Sequence, residues 1–245
     1  LETITPDFAE SPDTNQVIMN PVWSHGGAKI AFMSKSGGTW GVYKKEYSVG
    51  AWGASTVLFS SANLNPGYGI SWSGDDNYIM FSASDTTHIE MELYAAKQDG
   101  SDSAKTLAQL DAAGQKITNR TYSAGDRRKW LDSDWSSPSC GNAYQDTIVA
   151  SMGRVLGGVN KGIDMWLING AKTSGIYLEA GGTPATLTQL TDFPDSPRIQ
   201  MPMQARWSHD CKKIVFSHTD GVGSASLTPV YVINLADTIA PFTQT

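Results

Sequence analysis

The sequence is poor in charge, and long apolar runs are absent from it. Charged residues make up 17% of the 245 residues, and the formal net charge is −6 at pH 7. Because nucleic-acid binding needs a basic surface, we expect no nucleic-acid partner. No apolar run is long enough to cross a bilayer, so we expect no membrane span.

Recognisable catalytic and metal-binding motifs are also missing. The 4 histidines do not show the spacing of a metal site, and no Gly-x-Ser-x-Gly elbow of a serine hydrolase is present. His25 and His209 occupy the same turn position in two repeats, which we interpret as turn residues rather than as a metal pair. Enzymatic activity is therefore uncertain, and the sequence favours its absence.

A repeated Trp-Ser pair is the strongest pattern that is present. Each copy is followed by a polar turn and then by a β-branched or aromatic run; the copies begin at Trp23, Trp72, Trp135 and Trp207. Drifting spacing of this kind is typical of a repeat array with inserted loops. We predict that each tryptophan is structural and lies mostly buried between neighbouring units.

Short strands separated by Gly-, Asn- and Asp-containing turns predict an all-β chain. Four-stranded antiparallel units that repeat radially form a β-propeller, so we predict four four-stranded blades in a single domain of residues 1–245. Residues 1–19 would be a closing outer strand and linker. The predicted blades cover residues 20–60, 67–110, 132–191 and 203–245, and the outer strand of the second blade covers residues 106–110.

Two stretches carry a family resemblance. Residues 21–24 read Pro-Val-Trp-Ser and residues 30–34 read Ile-Ala-Phe-Met-Ser; residues 205–210 and 214–217 repeat the pattern. They resemble the TolB-like (WD40-like) propeller repeat, and the resemblance extends over most of the chain. Since members of that family usually carry six blades, the alternative to a closed ring is an open slice of a larger, six-bladed TolB-like propeller.

Two carboxylates lie near the end of the predicted innermost strand of the third blade. Asp132 and Asp134 are two residues apart, which places them on one face of a strand. Gln204 and Arg206 stand at the equivalent offsets before Trp207, so we predict that these four line the channel mouth, with an Asp134–Arg206 contact. No cofactor is expected. Calcium binding or acid/base catalysis is the alternative to an ion-paired channel lining.

The only cysteines, Cys140 and Cys211, both follow an innermost strand, in adjacent predicted blades. Their matching positions make them a candidate disulfide. Low Lys and abundant Ser, Thr, Gly and Asn predict a periplasmic, cell-surface or secreted protein, and an even number of cysteines in such a chain favours the disulfide. A first residue that is Leu rather than Met fits a processed or excised chain.

Irregularity is concentrated in the third predicted blade, through inserts at residues 111–134, 153–162 and 169–182. Long loops in a compact β domain are often functional. We predict a non-enzymatic protein-binding or scaffold propeller that presents loops and a channel mouth to a partner protein. The alternative is a carbohydrate-active or lactonase-like propeller enzyme with a carboxylate or calcium site in the channel. The sequence leaves the oligomeric state open.

Overall fold

The computed structural model describes residues 18–86, 90–118, 127–144, 146–169, 172–173, 176–177, 186–192, 201–219 and 229–237. Within these residues the chain is an all-β protein of several antiparallel sheets with short helices. Four units of antiparallel strands follow one another along the chain, and we number them units 1 to 4. No helix in the described part of the chain is long and apolar enough to cross a membrane.

The strands are assigned to the units as follows. Unit 1 contains β1 (Ile18–Trp23), β2 (Lys29–Ser36), β3 (Thr39–Ser48), β4 (Ala51–Trp52) and β5 (Thr56–Ser61). Unit 2 contains β6 (Asn65–Trp72), β7 (Tyr78–Ser84) and β8 (Glu92–Lys97), followed by α1 (Leu107–Ala112). Unit 3 contains β9 (Arg127–Trp135), the short α2 (Gly141–Tyr144), β10 (Ile148–Leu156), β11 (Val159–Asn169) and β14 (Thr186–Gln189), and β12 (Lys172–Thr173) pairs separately with β13 (Ile176–Tyr177). Unit 4 contains β15 (Met201–Trp207), β16 (Lys213–Thr219) and β17 (Val230–Asn234).

Each unit begins with a strand that ends at a Trp-Ser tryptophan, and we call these strands the inner strands: β1, β6, β9 and β15. The serine of every pair has the same role, because its Oγ accepts the backbone N–H of the residue at the start of the second strand. The N···O distances are 3.2 Å at Lys29, 3.0 Å at Tyr78, 3.1 Å at Thr147 and 3.0 Å at Lys213. The serine therefore closes the turn in all four units.

Every inner strand is interrupted by a shift in register near its middle. Asn20 and Gln204, each three residues before a tryptophan, have φ values of 52° and 57°, which non-glycine residues rarely adopt. Gly69 holds the same place in β6, where a Cβ would lie 2.7 Å from the backbone nitrogen of Ser133. The bulges bend the inner strands and let neighbouring ones approach closely.

The units pack face to face, so the core is divided into layers between them. We call the face of a unit that packs on the following unit its trailing face, and the face that packs on the preceding unit its leading face. Ala31, Met33 and Val42 on the trailing face of unit 1 pack with Trp72, Ile79 and Phe81 on the leading face of unit 2. The next layers join Met80, Leu93 and Ala95 to Trp135, Ile148 and Ala150, and Val149, Met165 and Leu167 to Trp207, Ile214 and Phe216.

Burial of the repeated tryptophans is confirmed in part. Trp72 and Trp135 are 1% and 2% exposed, and Trp207 is half-buried, as expected for side chains that wedge one unit against the next. Trp23 was predicted to be buried as well, and this is wrong, because its side chain is 58% exposed. The physical reason is that, within the described residues, no unit packs beside Trp23 as units 1 and 3 pack beside Trp72 and Trp207.

Unit 2 departs from the predicted four strands. Residues 106–110, predicted as a strand, belong instead to helix α1 and its cap. Thr106 Oγ1 accepts the backbone N–H of Gln109, whose side chain accepts the N–H of Thr106 in return, and this capping box stabilises a helix start. Leu107 and Leu110 still fill the core, but from a helix.

The predicted closed ring is not observed. Packing joins the inner strands β1 to β6, β6 to β9 and β9 to β15, but no comparable packing joins β1 to β15 within the described residues. Residues 1–17 of the predicted closing strand and linker, and residues 238–245 of the predicted fourth blade, lie outside the described residues. The all-β class is thus confirmed, whereas four closed four-stranded blades are not, and the single domain of residues 1–245 stays a prediction.

Candidate functional site

The four predicted site residues lie on adjacent inner strands, Asp132 and Asp134 on β9 and Gln204 and Arg206 on β15. We call them the inner-strand site. Asp132 is 1% exposed, its Oδ1 accepts the backbone N–H of Ser133 at 3.0 Å, and Arg206 Nη1 lies 3.5 Å from the same oxygen. Gln204 has an exposed side chain, and its backbone N–H favours the ionised form of Asp132, which acts to lower the pKa of that carboxyl group. The structure therefore brings the side chains of Asp132, Asp134 and Arg206 close together, and leaves that of Gln204 exposed.

Asp134 holds units 3 and 4 together. Its Oδ2 accepts the backbone N–H of Trp207 at 3.0 Å, and its carbonyl oxygen accepts the indole N–H of the same residue at 3.3 Å. The predicted Asp134–Arg206 contact is wrong, because Arg206 pairs with Asp132. The bulge in β9 explains the difference: it inserts a residue between Trp130 and Ser133, so the simple two-residue alternation does not continue along the strand.

The environment raises the pKa of both carboxyl groups. Burial raises the pKa of Asp134 to about 6, against the opposing attraction of Arg206 and the hydrogen bond from Trp207, while the charge of Asp132 adds to the rise. Burial also raises the pKa of Asp132, although Arg206 attracts its ionised form. The Oδ2 atom of Asp132 is buried without a hydrogen-bond partner. The site is therefore a pair of buried carboxyl groups, and the single guanidinium group of Arg206 offsets only part of the cost of burying their charge.

The turns that follow the inner strands, which we call the turn face, are connected from unit to unit. Between units 1 and 2, Asp76 accepts the backbone N–H groups of His25 and Gly26, both at 2.9 Å, and lies 3.0 Å from His25 Nδ1. His25 thus pairs with a carboxylate of the next turn rather than with His209. The sequence does not predict this contact, because nothing in it distinguishes Asp75 from Asp76. In the structure Asp75 accepts hydrogen bonds within its own turn, from the Ser73 hydroxyl and from the backbone N–H of Asn77, whereas Asp76 reaches the neighbouring turn.

Between units 3 and 4 the turn face is closed covalently. Cys140 and Cys211 form a disulfide, with their Cα atoms 5.0 Å apart. Beside it, Ser139 Oγ donates a hydrogen bond to the carbonyl oxygen of His209 at 3.2 Å. Within the described residues, no group of three or more His, Cys, Asp or Glu side chains is arranged to hold a metal ion.

Comparisons with known proteins identify the fold. Antiparallel units that stack through buried layers make this an all-β protein. No protein-family model matches the chain, and no curated protein matches it in sequence. A crystal structure of TolB from Acinetobacter baumannii is similar with a TM-score of 0.52 and 19% identity, over 91% of this chain and 42% of that one. A puromycin-hydrolyzing peptidase of Mycobacterium tuberculosis is similar with a TM-score of 0.50 and 10% identity, over 90% of this chain and 28% of that one.

These similarities show a TolB-like propeller fold. The chain spans 42% and 28% of the lengths of the two solved structures, less than half of either. A shared fold does not carry a shared activity, so the function is argued below from the residues of this chain.

Proposed function

We propose that the protein is a non-enzymatic binding module that docks a partner protein on the turn face, beside the inner-strand site. The observation that carries the proposal is the unequal exposure of this site. The side chain of Arg206 is 37% exposed, whereas that of Asp132 beside it is 2% exposed. A partner that approaches this part of the turn face therefore meets a guanidinium group that Asp132 holds in place.

The carboxylates support this role because they are engaged with backbone groups. Asp134 accepts the N–H of Trp207, and Asp132 accepts the N–H of Ser133. Asp134 therefore joins β9 to β15, and Asp132 is engaged through its Oδ1 by Ser133 and by Arg206. With the disulfide alongside, the turn face is a preorganised surface, and preorganisation lowers the entropy that is lost on binding.

Arg206 also defines what a partner would offer. Its Nη1 donates to the carbonyl oxygen of Ala205 at 2.7 Å and lies near Asp132, which leaves further guanidinium N–H donors for a ligand. Planar guanidinium groups bind carboxylates and carbonyl oxygens with defined geometry. We propose that the partner presents such an acceptor, and that binding takes place outside the cytoplasm, where a disulfide persists.

Photo-cross-linking in the source cells tests the proposal. A photoreactive residue in place of the exposed Asp210, on the turn face, should trap a partner that the same residue in place of Val159, in the β10–β11 hairpin, does not. Against the identified partner, Arg206→Gln should weaken binding by about tenfold or more. Lys97→Gln, which removes one exposed cation from unit 2, is the matched control. Equal trapping at the two positions, or an unchanged affinity of Arg206→Gln, would contradict the proposal.

A carbohydrate-active or lactonase-like enzyme is the second candidate. The observation in its favour is the pKa of Asp134, which burial raises to about 6 and so into the range useful to a general acid near neutral pH. Hydrolysis of a panel of lactones and glycosides, lost in Asp134→Asn, would support this candidate. A large gain in stability on titration with calcium would favour it as well.

A further inference from the structure

The trailing face of unit 4 exposes apolar side chains that the other units bury. Val215 pairs with Val232 across β16 and β17, and Val230 lies on the same face; they are 37%, 59% and 68% exposed. The register positions of Val215 in units 1 to 3 are occupied by Ala31, Met80 and Val149, and those of Val230 by Val42, Leu93 and Met165. All six of those residues are 0% exposed, because the following unit covers them.

The leading face of unit 1 has the complementary feature. Trp23 is 58% exposed, and its ring lies 5.6 Å from that of Trp52, which lies 5.3 Å from that of Tyr47. Together they form an aromatic surface at the end of the molecule opposite to unit 4. The equivalent Trp72 is covered by unit 1 and is 1% exposed.

The indole N–H groups show what covers a tryptophan of this repeat. Trp72 Nε1 donates to the carbonyl oxygen of Val22 at 3.1 Å, and Trp207 Nε1 donates to that of Asp134 at 3.3 Å. In both cases the acceptor is the residue directly before the tryptophan of the preceding unit. Within the described residues no preceding unit offers such a carbonyl to Trp23.

A lysine completes the contact between units 1 and 2. Lys29 Nζ lies 5.9 Å from the centre of the Trp72 ring and donates to Gln98 Oε1 at 3.0 Å. Lys213 is the equivalent of Lys29, six residues after its tryptophan, and it is exposed. Tyr47 is the equivalent of Gln98, since both donate their backbone N–H to the fifth residue after a tryptophan. Unit 4 thus carries the cation, and unit 1 the exposed aromatic ring that would receive it.

We propose that the trailing face of unit 4 binds the leading face of unit 1 of a second copy of this chain. At Trp23 the contact reproduces the one that Trp72 makes with unit 1, while Ile30 and Phe32 stay covered within their own copy. Val215 and Val232 cover Trp23 of the second copy, Lys213 lies over its indole ring and near its Tyr47 hydroxyl, and the carbonyl oxygen of Arg206 accepts its indole N–H. Such a contact is head-to-tail, because two different faces meet. Trp23 and the three valines are each exposed in one copy, so they do not cover one another within the same molecule.

Sedimentation velocity across a wide concentration range tests this contact on the full chain. The unaltered protein should associate with rising concentration, and the fluorescence of Trp23 should become protected from acrylamide at the same concentrations. Trp23→Ala and Val232→Glu should each weaken association by on the order of a hundredfold. Val159→Glu changes a valine that is 56% exposed in the β10–β11 hairpin, on neither face, and it should associate like the unaltered protein.

A mixture of the two weakened variants separates head-to-tail contact from other arrangements. Trp23→Ala keeps its trailing face and Val232→Glu keeps its leading face, so the mixture should form heterodimers although neither variant associates alone. Circular dichroism shows whether each variant is folded, which is expected since both altered side chains are largely exposed. A protein that stays monomeric at every concentration would overturn the proposal. So would association that survives either substitution, or a mixture that stays monomeric.

Discussion

Replacing Asp134 by Asn should stabilise the protein at neutral pH. Burial raises the pKa of Asp134 to about 6, about two units above that of an unfolded aspartate, so the ionised group costs the fold about 3 kcal/mol at pH 7. Asn removes the charge but keeps a side-chain oxygen that can accept the backbone N–H of Trp207. We therefore expect a gain of about 1–3 kcal/mol at pH 7, as a rise in melting temperature of about 2–4 °C per kcal/mol.

The sign depends on pH in a defined window. Because the folded protein binds the Asp134 proton more tightly than the unfolded chain, this group destabilises the fold above pH 6, and the penalty disappears as the pH falls from about 6 to about 4. The difference in free energy of unfolding between Asp134→Asn and the unaltered protein should thus vanish near pH 4. Denaturant titrations at both pH values, with the disulfide intact, measure it.

Asp210→Asn is a control of opposite sign. Asp210 is exposed, and the hydrogen bonds that it accepts from Ser208 and from the backbone N–H of Lys212 hold its pKa below the usual value. This substitution should slightly destabilise the protein at pH 7, and the difference should also fade in acid, where the carboxylate is protonated. A loss of stability in Asp134→Asn at pH 7 would refute the reasoning, since it would mean that the charged form is the better acceptor here.

Three further predictions concern the contacts between units. Trp72→Ala should destabilise the protein by about 3–5 kcal/mol in thermal unfolding, whereas Trp23→Ala, at an exposed position, should cost less than about 1 kcal/mol; equal losses would contradict the layer assignment. The Cys140–Cys211 disulfide joins cysteines that are 71 residues apart. The double variant Cys140→Ser, Cys211→Ser should therefore lose about 4 kcal/mol of the free energy of unfolding, measured by denaturant titration. Gly69→Ala should cost about 1–3 kcal/mol, because the new Cβ would overlap the backbone of β9; unchanged stability would show that β6 and β9 can separate.

Much of the site could be predicted because it follows from repeats. The matched offsets before Trp135 and Trp207 placed Asp132 and Arg206 on neighbouring strands, and the structure joins them at 3.5 Å. The choice between Asp132 and Asp134 as the partner of Arg206 was out of reach. It depends on a bulge, and no residue of β9 marks where the extra residue enters, because the conformational signal of a bulge is clear only at a glycine such as Gly69 in β6.

The sequence by itself determined the elements that are encoded within a few residues. A serine after each inner strand closes the turn to the next strand, and short continuous apolar runs build sheets with two apolar faces. Only the tertiary structure decided what lies against those faces. Trp23 and Trp72 stand in the same local pattern, yet one is 58% and the other 1% exposed, because burial depends on whether another unit packs there. Helix α1 is a different case, because its capping box joins Thr106 to Gln109 locally, in residues that a strand pattern also fits.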